Sequence, residues 1–170
     1  IGISKVSDPD QLGEAIEQAR QHDPRVVVEA AITGREVECG VLDGLDGQDP
    51  CVSVVGELVV HGGHEFYDFE AKYLDGATSL IIPAVLPPGT VQLIQTLARR
   101  AFEALSCEGL ARVDFFVADD GRVLVNELNT MPGFTPTSMF PRLWASSGLD
   151  YPALVDRLLG AALARPVGLR

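Results

Sequence analysis

Two runs of alternating residues, Arg112 to Val117 and Val123 to Asn129, flank Asp119-Asp120-Gly121, and a turn of this composition between period-two runs commits the chain to a β-hairpin. Taking Asp120-Gly121 as a two-residue turn predicts Asp114 across from Glu127 and Arg112 across from Asn129, all four on one face. Val113, Phe115, Leu124 and Leu128 then form the opposite, core-facing side. A three-residue turn with a bulge would shift this register by one on one strand. Carboxylates opposed in this way repel, by about 4 kcal/mol at ~4 Å and an effective dielectric of about 20, so the hairpin needs a compensating charge. The all-oxygen set Asp114, Glu127 and Asn129 suits a hard divalent cation, and Mg²⁺ favours a few carboxylates together with phosphate oxygens. Arg112 beside them offers a planar fork to a phosphate. The competing reading is a solvated hairpin face on which Arg112 merely offsets the acids. The adjoining loop favours the first reading. Thr130-Met131-Pro132-Gly133 ends in a Pro-Gly turn whose backbone N–H groups suit an oxyanion, and metal, arginine and oxyanion donor together read as phosphoryl or acyl-phosphate chemistry.

The rest of the chain supplies the frame. Asp8-Pro9 followed by Leu12, Ala15, Ile16 and Ala19 predicts a capped amphipathic helix closed by Pro24. The first residues read as a strand, and so do the apolar run Val26-Val27-Val28, the alternating segment around Val37, Cys39 and Val41, the stretch Cys51 to Val60, and Leu80-Ile81-Ile82. Pro87-Pro88-Gly89 introduces a helix whose apolar stripe is Val91, Ile94, Leu97, Ala98, Ala101 and Leu105. A last amphipathic helix runs from about Tyr151 to Ala164, stopped by Pro166. Between strands, residues 61–79 form a long stretch with little periodicity, of the kind that is functional or disordered. Strands and helices mix without strict βαβ alternation, which predicts an α+β fold with a largely antiparallel sheet.

Charge and cysteine usage narrow the function classes. Lys+Arg number 13 against Asp+Glu 24, a formal charge of −11 over 170 residues, which argues against a nucleic-acid backbone or an anionic membrane as partner. No apolar run reaches the ~18–20 residues of a membrane helix and the first residues lack a signal-peptide shape, so the expected setting is cytoplasmic. Cys39, Cys51 and Cys107 are odd in number and widely spaced, and read as buried free thiols. His61 and His64 resemble metal ligands in type but have no third ligand on their Gly-rich loop. Trp144 reads as core.

Three segments together carry a resemblance: Gly109-Leu110-Ala111-Arg112-Val113-Asp114-Phe115-Phe116, Asn126-Glu127-Leu128-Asn129-Thr130-Met131-Pro132-Gly133-Phe134-Thr135, and Phe66-Tyr67-Asp68-Phe69-Glu70-Ala71-Lys72-Tyr73. Across its whole length the chain resembles the D-alanine–D-alanine ligases of the ATP-grasp superfamily, and its Asn-Glu-Leu-Asn and Met-Pro-Gly-Phe wording resembles actinobacterial members. The Arg-x-Asp and Asn-Thr-x-Pro-Gly pair is specific to this group among ATP-grasp enzymes. The Glu-x-Asn metal element is shared more widely.

The resemblance implies an ATP-grasp C-terminal domain at 33–170 with a lid loop at 61–79, preceded at 1–32 by a remnant of the central ATP-binding subdomain that ends in an adenine hinge. Asp114, Glu127 and Asn129 would hold two Mg²⁺ or Mn²⁺ ions on the ATP phosphates, Arg112 would stabilise the transferred phosphoryl group, and the Gly133 N–H the tetrahedral intermediate. Ser138 would bind the carboxylate of the second D-alanine, although a serine there also suits a helix N-cap. Lys72 and Tyr73 would close over the site as a lid; taken alone, Lys72 is an ordinary surface lysine. Glu29, Ala30, Ala31 and Ile32 would read adenine with Phe66 against its ring, and Glu36 would accept the ribose hydroxyls; without the resemblance Glu29 is the solvated end of a strand. Related ligases that use D-lactate commonly carry His where this chain has Tyr73, so Tyr73 implies a D-alanine acceptor. The Gly/Ser phosphate loop, its lysines and the domain for the first D-alanine would lie before Ile1, which makes the chain roughly the C-terminal half of a ligase, inactive alone. The implied activity is ATP-dependent formation of D-alanyl-D-alanine for peptidoglycan, through an acyl phosphate, by a homodimer. Its rivals are another ATP-grasp carboxylate-amine ligase and a non-enzymatic cation-binding or interaction domain.

Overall fold

The computed structural model describes residues 1–45, 48–60 and 78–165 and divides into two compact units, Ile1–Ile32 and Thr33–Arg170. In the first, Asp8 caps a 3₁₀ turn, Pro9–Gln11, by accepting from the Asp10 amide, and the chain continues as helix α1, Leu12–Arg20. The strands expected at the first residues and at Val26-Val27-Val28 are absent: Ile1, Ile3, Val27 and Val28 are exposed and the backbone there is unpaired. A β-branched run favours extended backbone, yet a strand exists only where a second strand accepts its hydrogen bonds. No described residue does so.

Among its described residues the second unit has five strands, β1 (Gly34–Leu42), β2 (Cys51–Val60), β3 (Thr78–Ile81), β4 (Leu110–Ala118) and β5 (Val123–Asn129), and helices α2 (Pro88–Ala104), α3 (Met139–Ser146) and α4 (Tyr151–Ala164). The order across the sheet is β3-β2-β1-β4-β5, every neighbouring pair antiparallel, so the α+β expectation holds. Strand β3 begins at Thr78, which shortens the stretch expected to run as a loop to residue 79; residues 61–77 lie outside the described residues, as does Pro166. The final helix has the expected bounds, and α3 begins directly after Ser138, where the sequence suits a helix N-cap.

Alternation decides which face each helix covers. Val37, Cys39 and Val41 of β1 and Val113 and Phe115 of β4 bury themselves against Ile94, Ala98 and Phe102 of α2. Leu105, expected on that stripe, instead lies past the end of α2 and is exposed; Phe102 takes the inward position. On the other face, Leu42 packs with Phe140 and Trp144 of α3 and Leu154 of α4. Two glycines on this face, Gly40 of β1 and Gly56 of β2, make room for α3: a Cβ on Gly40 would stand 2.8 Å from Trp144 Nε1 and 3.2 Å from Phe140, and one on Gly56 2.8 Å from both Leu143 and Met139. With α3 seated over β1 and β2, the residues of β4 and β5 on the same face form the site described below. Gly40→Ala is expected to cost about 1–3 kcal/mol of stability by overpacking, read as a lower urea midpoint accompanied by a change in the fluorescence of Trp144. An unchanged midpoint would mean that α3 is not seated against Gly40.

Candidate active site

The hairpin reaches the expected pairing by an unexpected route. Its turn has three residues, not two: the Gly121 amide donates to Ala118 O at 2.8 Å and the Ala118 amide to Arg122 O at 2.9 Å, with Gly121 in the left-handed region at φ +86°. The register next to the turn is therefore Val117 with Val123, Phe116 with Leu124 and Phe115 with Val125. Continued without interruption, it would set Asn126 against Asp114 and turn Glu127 to the α2 side, opposite Val113. Asn126 is instead an extra residue, a bulge, beyond which Asp114 faces Glu127 and Arg112 faces Asn129. The shift also corrects the assignment of Leu124, which pairs with Phe116 on the site face, while Val123 packs on the core.

A third carboxylate completes the row. Glu38 of β1 pairs with Asp114 from the other side, so Glu38, Asp114 and Glu127 run in line across three strands. Arg112 donates to Asp114 through both arms of its fork, Nε to Oδ1 at 2.7 Å and a terminal nitrogen to Oδ2 at 2.6 Å, and its Nε lies 3.0 Å from Glu38 Oε2. Arg112, Asp114 and Glu38 are largely buried, Glu36 is half-buried and Glu127 is exposed. Burial and the charges of Asp114, Glu36 and Glu127 push the Glu38 carboxyl up to about 8 against the pull of Arg112. Burial and Asp114 raise Glu36, and burial with Glu127 raises Asp114 although Arg112 opposes it. Burial works against the charge on Arg112, but its bonds to Asp114 and the fields of Glu38 and Glu127 outweigh it and raise the pKa. Glu38 is the site residue that sequence reasoning missed as a functional group. Its signal was the alternation that puts Glu36, Glu38 and Gly40 on one face.

Three carboxyl groups, Glu38, Asp114 and Glu127, share one guanidinium, an excess of acid over base held partly out of water, and one buried oxygen, Glu38 Oε2, has no hydrogen-bond partner. A hard divalent cation fits that imbalance and the oxygen donors of Asp114, Glu127 and Asn129. Among the described residues no group of three or more His, Cys, Asp or Glu side chains converges on one point; the donor set here is two carboxylates and an amide, with Asp114 engaged by Arg112.

The loop after β5 is tied at both ends. Asn129 Oδ1 accepts from the Met131 amide at 3.0 Å, and the Tyr151 hydroxyl donates to Phe134 O at 2.8 Å while its ring packs on Phe134. Ser138 stands immediately before α3, but its hydroxyl does not cap the helix. It accepts from the Thr135 amide at 3.2 Å and pairs with the Thr135 hydroxyl at 2.8 Å, and a Cβ on Gly133 would come within 3.0 Å of it. Gly133 and Ser138 thus share one small patch at the end of the strand that carries Glu127 and Asn129.

The structure brings Arg112, Asp114, Glu127 and Asn129 onto one face, with Glu36 two residues along β1 from Glu38. Glu29, Ala30, Ala31 and Ile32 belong to the first compact unit, in backbone of no regular structure, with Glu29 exposed. Phe66, Lys72, Tyr73, His61 and His64 lie outside the described residues. Cys39 is a buried free thiol, while Cys51 and Cys107 are free but only half-buried. No described helix is long and apolar enough to cross a membrane.

Comparison with known proteins gives a consistent picture. Residues 1–160 match the family model described as D-ala D-ala ligase C-terminus. A D-alanine–D-alanine ligase of Kineococcus radiotolerans is 57% identical over 175 residues, covering 100% of this chain and 46% of that protein; the chain spans about half the length of the curated relatives it matches. Among solved structures, the VanG D-Ala:D-Ser ligase of Enterococcus faecalis superposes with a TM-score of 0.80 at 38% identity, over 94% of this chain and 45% of that one. The D-alanine–D-alanine ligase of Bacillus anthracis, solved with ATP, gives 0.78 at 31% identity over 96% of this chain and 51% of that one.

Proposed function

Because the chain belongs to the D-alanine–D-alanine ligase C-terminal family, we propose that it is the catalytic C-terminal portion of a ligase that joins two D-alanines at the expense of ATP, for peptidoglycan synthesis. The observation that carries this reading is the cross-strand set of Arg112, Asp114, Glu127 and Asn129 on one sheet face. Asp114, Glu127 and Asn129 would hold Mg²⁺ or Mn²⁺, two ions in all, which when bound draw negative charge from phosphate oxygens. Arg112 presents its N–H donors to the phosphoryl group as it moves from ATP to the carboxylate of the first D-alanine. The bond formed is carboxylate oxygen to phosphorus, and ADP leaves.

The amine of the second D-alanine then attacks the acyl carbon, and the Gly133 N–H takes the developing oxyanion. Ser138, beside Gly133, holds the acceptor's carboxylate, so that one short loop positions both the amine's carrier and the carbon it attacks. The amide bond forms as phosphate leaves and the amine gives up its proton. Glu29, Ala30, Ala31, Ile32 and Phe66 serve the adenine, Glu36 the ribose, and Lys72 and Tyr73 the closed lid, with Tyr73 favouring D-alanine over D-lactate. In this reading residues 1–32 are the end of the central ATP-grasp subdomain, 33–170 form the C-terminal one, and the whole enzyme is a cytoplasmic homodimer. An acidic docking surface for a protein partner fits less well, because Glu38 and Asp114 are buried where a docking face would display them. With the full-length protein, ATP and Mg²⁺, D-alanine is expected to give phosphate release and a D-alanyl-D-alanine mass, D-serine and D-lactate much less. Phosphate release with a D-serine or D-lactate product instead would reassign the acceptor, and no product with any of the three would overturn the reading.

A further inference from the structure

Glu38 has a place in the site that the ligase reading leaves unused. It is buried in the centre of the sheet, next to Asp114 on the side away from Glu127. Its Oε2 lies 3.0 Å from Arg112 Nε, yet has no hydrogen bond, because the Nε hydrogen is directed at Asp114 Oδ1, 2.7 Å away. A buried carboxyl oxygen left without a partner is costly, and a native structure that keeps one calls for an explanation, a catalytic role or a bound ion among them.

The proposed chemistry supplies that state. Asp114 has both oxygens engaged by the Arg112 fork, and a divalent cation on the same carboxylate repels a guanidinium held against it. Once Asp114 turns to a cation, the arginine must either leave the face or find another anion. Glu38 offers such a carboxyl group, already within reach of Nε and needing only a change in the direction of one N–H. A guanidinium has five donors and stays charged, so the exchange leaves it in place with its remaining N–H groups free for phosphate.

We propose that Glu38 is a positioning residue: it takes over the Nε of Arg112 when Asp114 binds the metal, and so keeps the arginine in the site. The proposal rests on the ligase reading and extends it to a residue outside the metal-binding set. Glu38→Met, similar in length and without an acceptor, leaves Arg112 committed to Asp114. Glu38→Gln keeps the shape and an acceptor but loses the charge. In the full-length protein, Mn²⁺ binding in the presence of ADP, followed by the paramagnetic signal of the free ion, is expected to weaken about tenfold or more in Glu38→Met, as for partners that orient metal ligands. Glu38→Gln shifts it in the same direction by less, and carries the test alone should Glu38→Met not fold. The Mg²⁺ concentration for half-maximal activity rises with it, and kcat falls while the KM for D-alanine holds. A lower melting temperature with Mn²⁺ binding within twofold of the parent in Glu38→Gln means that Glu38 only supports the fold, and overturns the proposal. If the parent protein itself binds no Mn²⁺ with ADP, the ligase reading fails and the proposal with it.

Discussion

Replacing Arg112 with Ala is expected to lower the kcat for phosphate release by about 10²–10³-fold, the range seen when a single preorganised donor to a developing charge is removed. The structure adds a second consequence. Arg112 is the only cation placed among Glu38, Asp114 and Glu127 by the described residues, and it is largely buried. Removing it leaves two buried carboxylates without their partner, a change that costs about 3–5 kcal/mol where a buried pair is broken. Arg112→Lys separates the two effects. A lysine keeps the charge and most of the stability but reaches only one acceptor at a time, whereas the guanidinium spans both oxygens of Asp114. Urea unfolding and kcat measured on both variants should therefore diverge: Arg112→Lys recovers most of the urea midpoint and little of the rate. Equal recovery of both would assign Arg112 a purely electrostatic supporting role.

Asp114→Asn and Glu127→Gln should each lower the rate of the full-length enzyme by about 100-fold or more, since each removes a negative oxygen donor from the proposed metal set. Their effects on metal-free stability are expected to have opposite signs. Asp114 is buried and accepts both arms of the Arg112 fork, so Asp114→Asn destabilises by about 1–3 kcal/mol. Glu127 is exposed and opposes Asp114 across the ladder; Glu127→Gln removes a like-charge contact and raises stability by about 0.2–1 kcal/mol. Rate constants together with thermal melts in the presence of a chelator check both halves. A Glu127→Gln protein that melts lower without metal would mean that the attraction between Glu127 and Arg112 outweighs the repulsion between Glu127 and Asp114.

These expectations rest on a register that was legible in the sequence for a partly mistaken reason. The pairing of Asp114 with Glu127 followed from a two-residue turn, whereas the chain uses a three-residue turn and regains the register with a bulge at Asn126. The two departures cancel at the site and not before it, so Leu124 lies on the site face and not on the core face that a two-residue turn predicts. Glu38 escaped notice because an acid on an alternating strand reads as the solvated side. Its burial depends on β4 lying alongside β1, more than seventy positions away in sequence.

By itself the sequence determined what period and turn chemistry control: the strands around Val37, from Cys51 to Val60 and on either side of Asp119-Asp120-Gly121, the helices after Asp8-Pro9 and Pro87-Pro88, and the grouping of Arg112, Asp114, Glu127 and Asn129. Those properties arise from the backbone's own repeat and from residues a few positions apart. Only the tertiary structure decided that Val26-Val27-Val28 is not a strand, that Gly40 and Gly56 admit α3, that the extra residue of β5 is Asn126, and that Glu38 is buried against Arg112. Each of these depends on a partner distant in the chain, and hydrogen-bond pairing, close packing and charge burial are set by what lies across the fold.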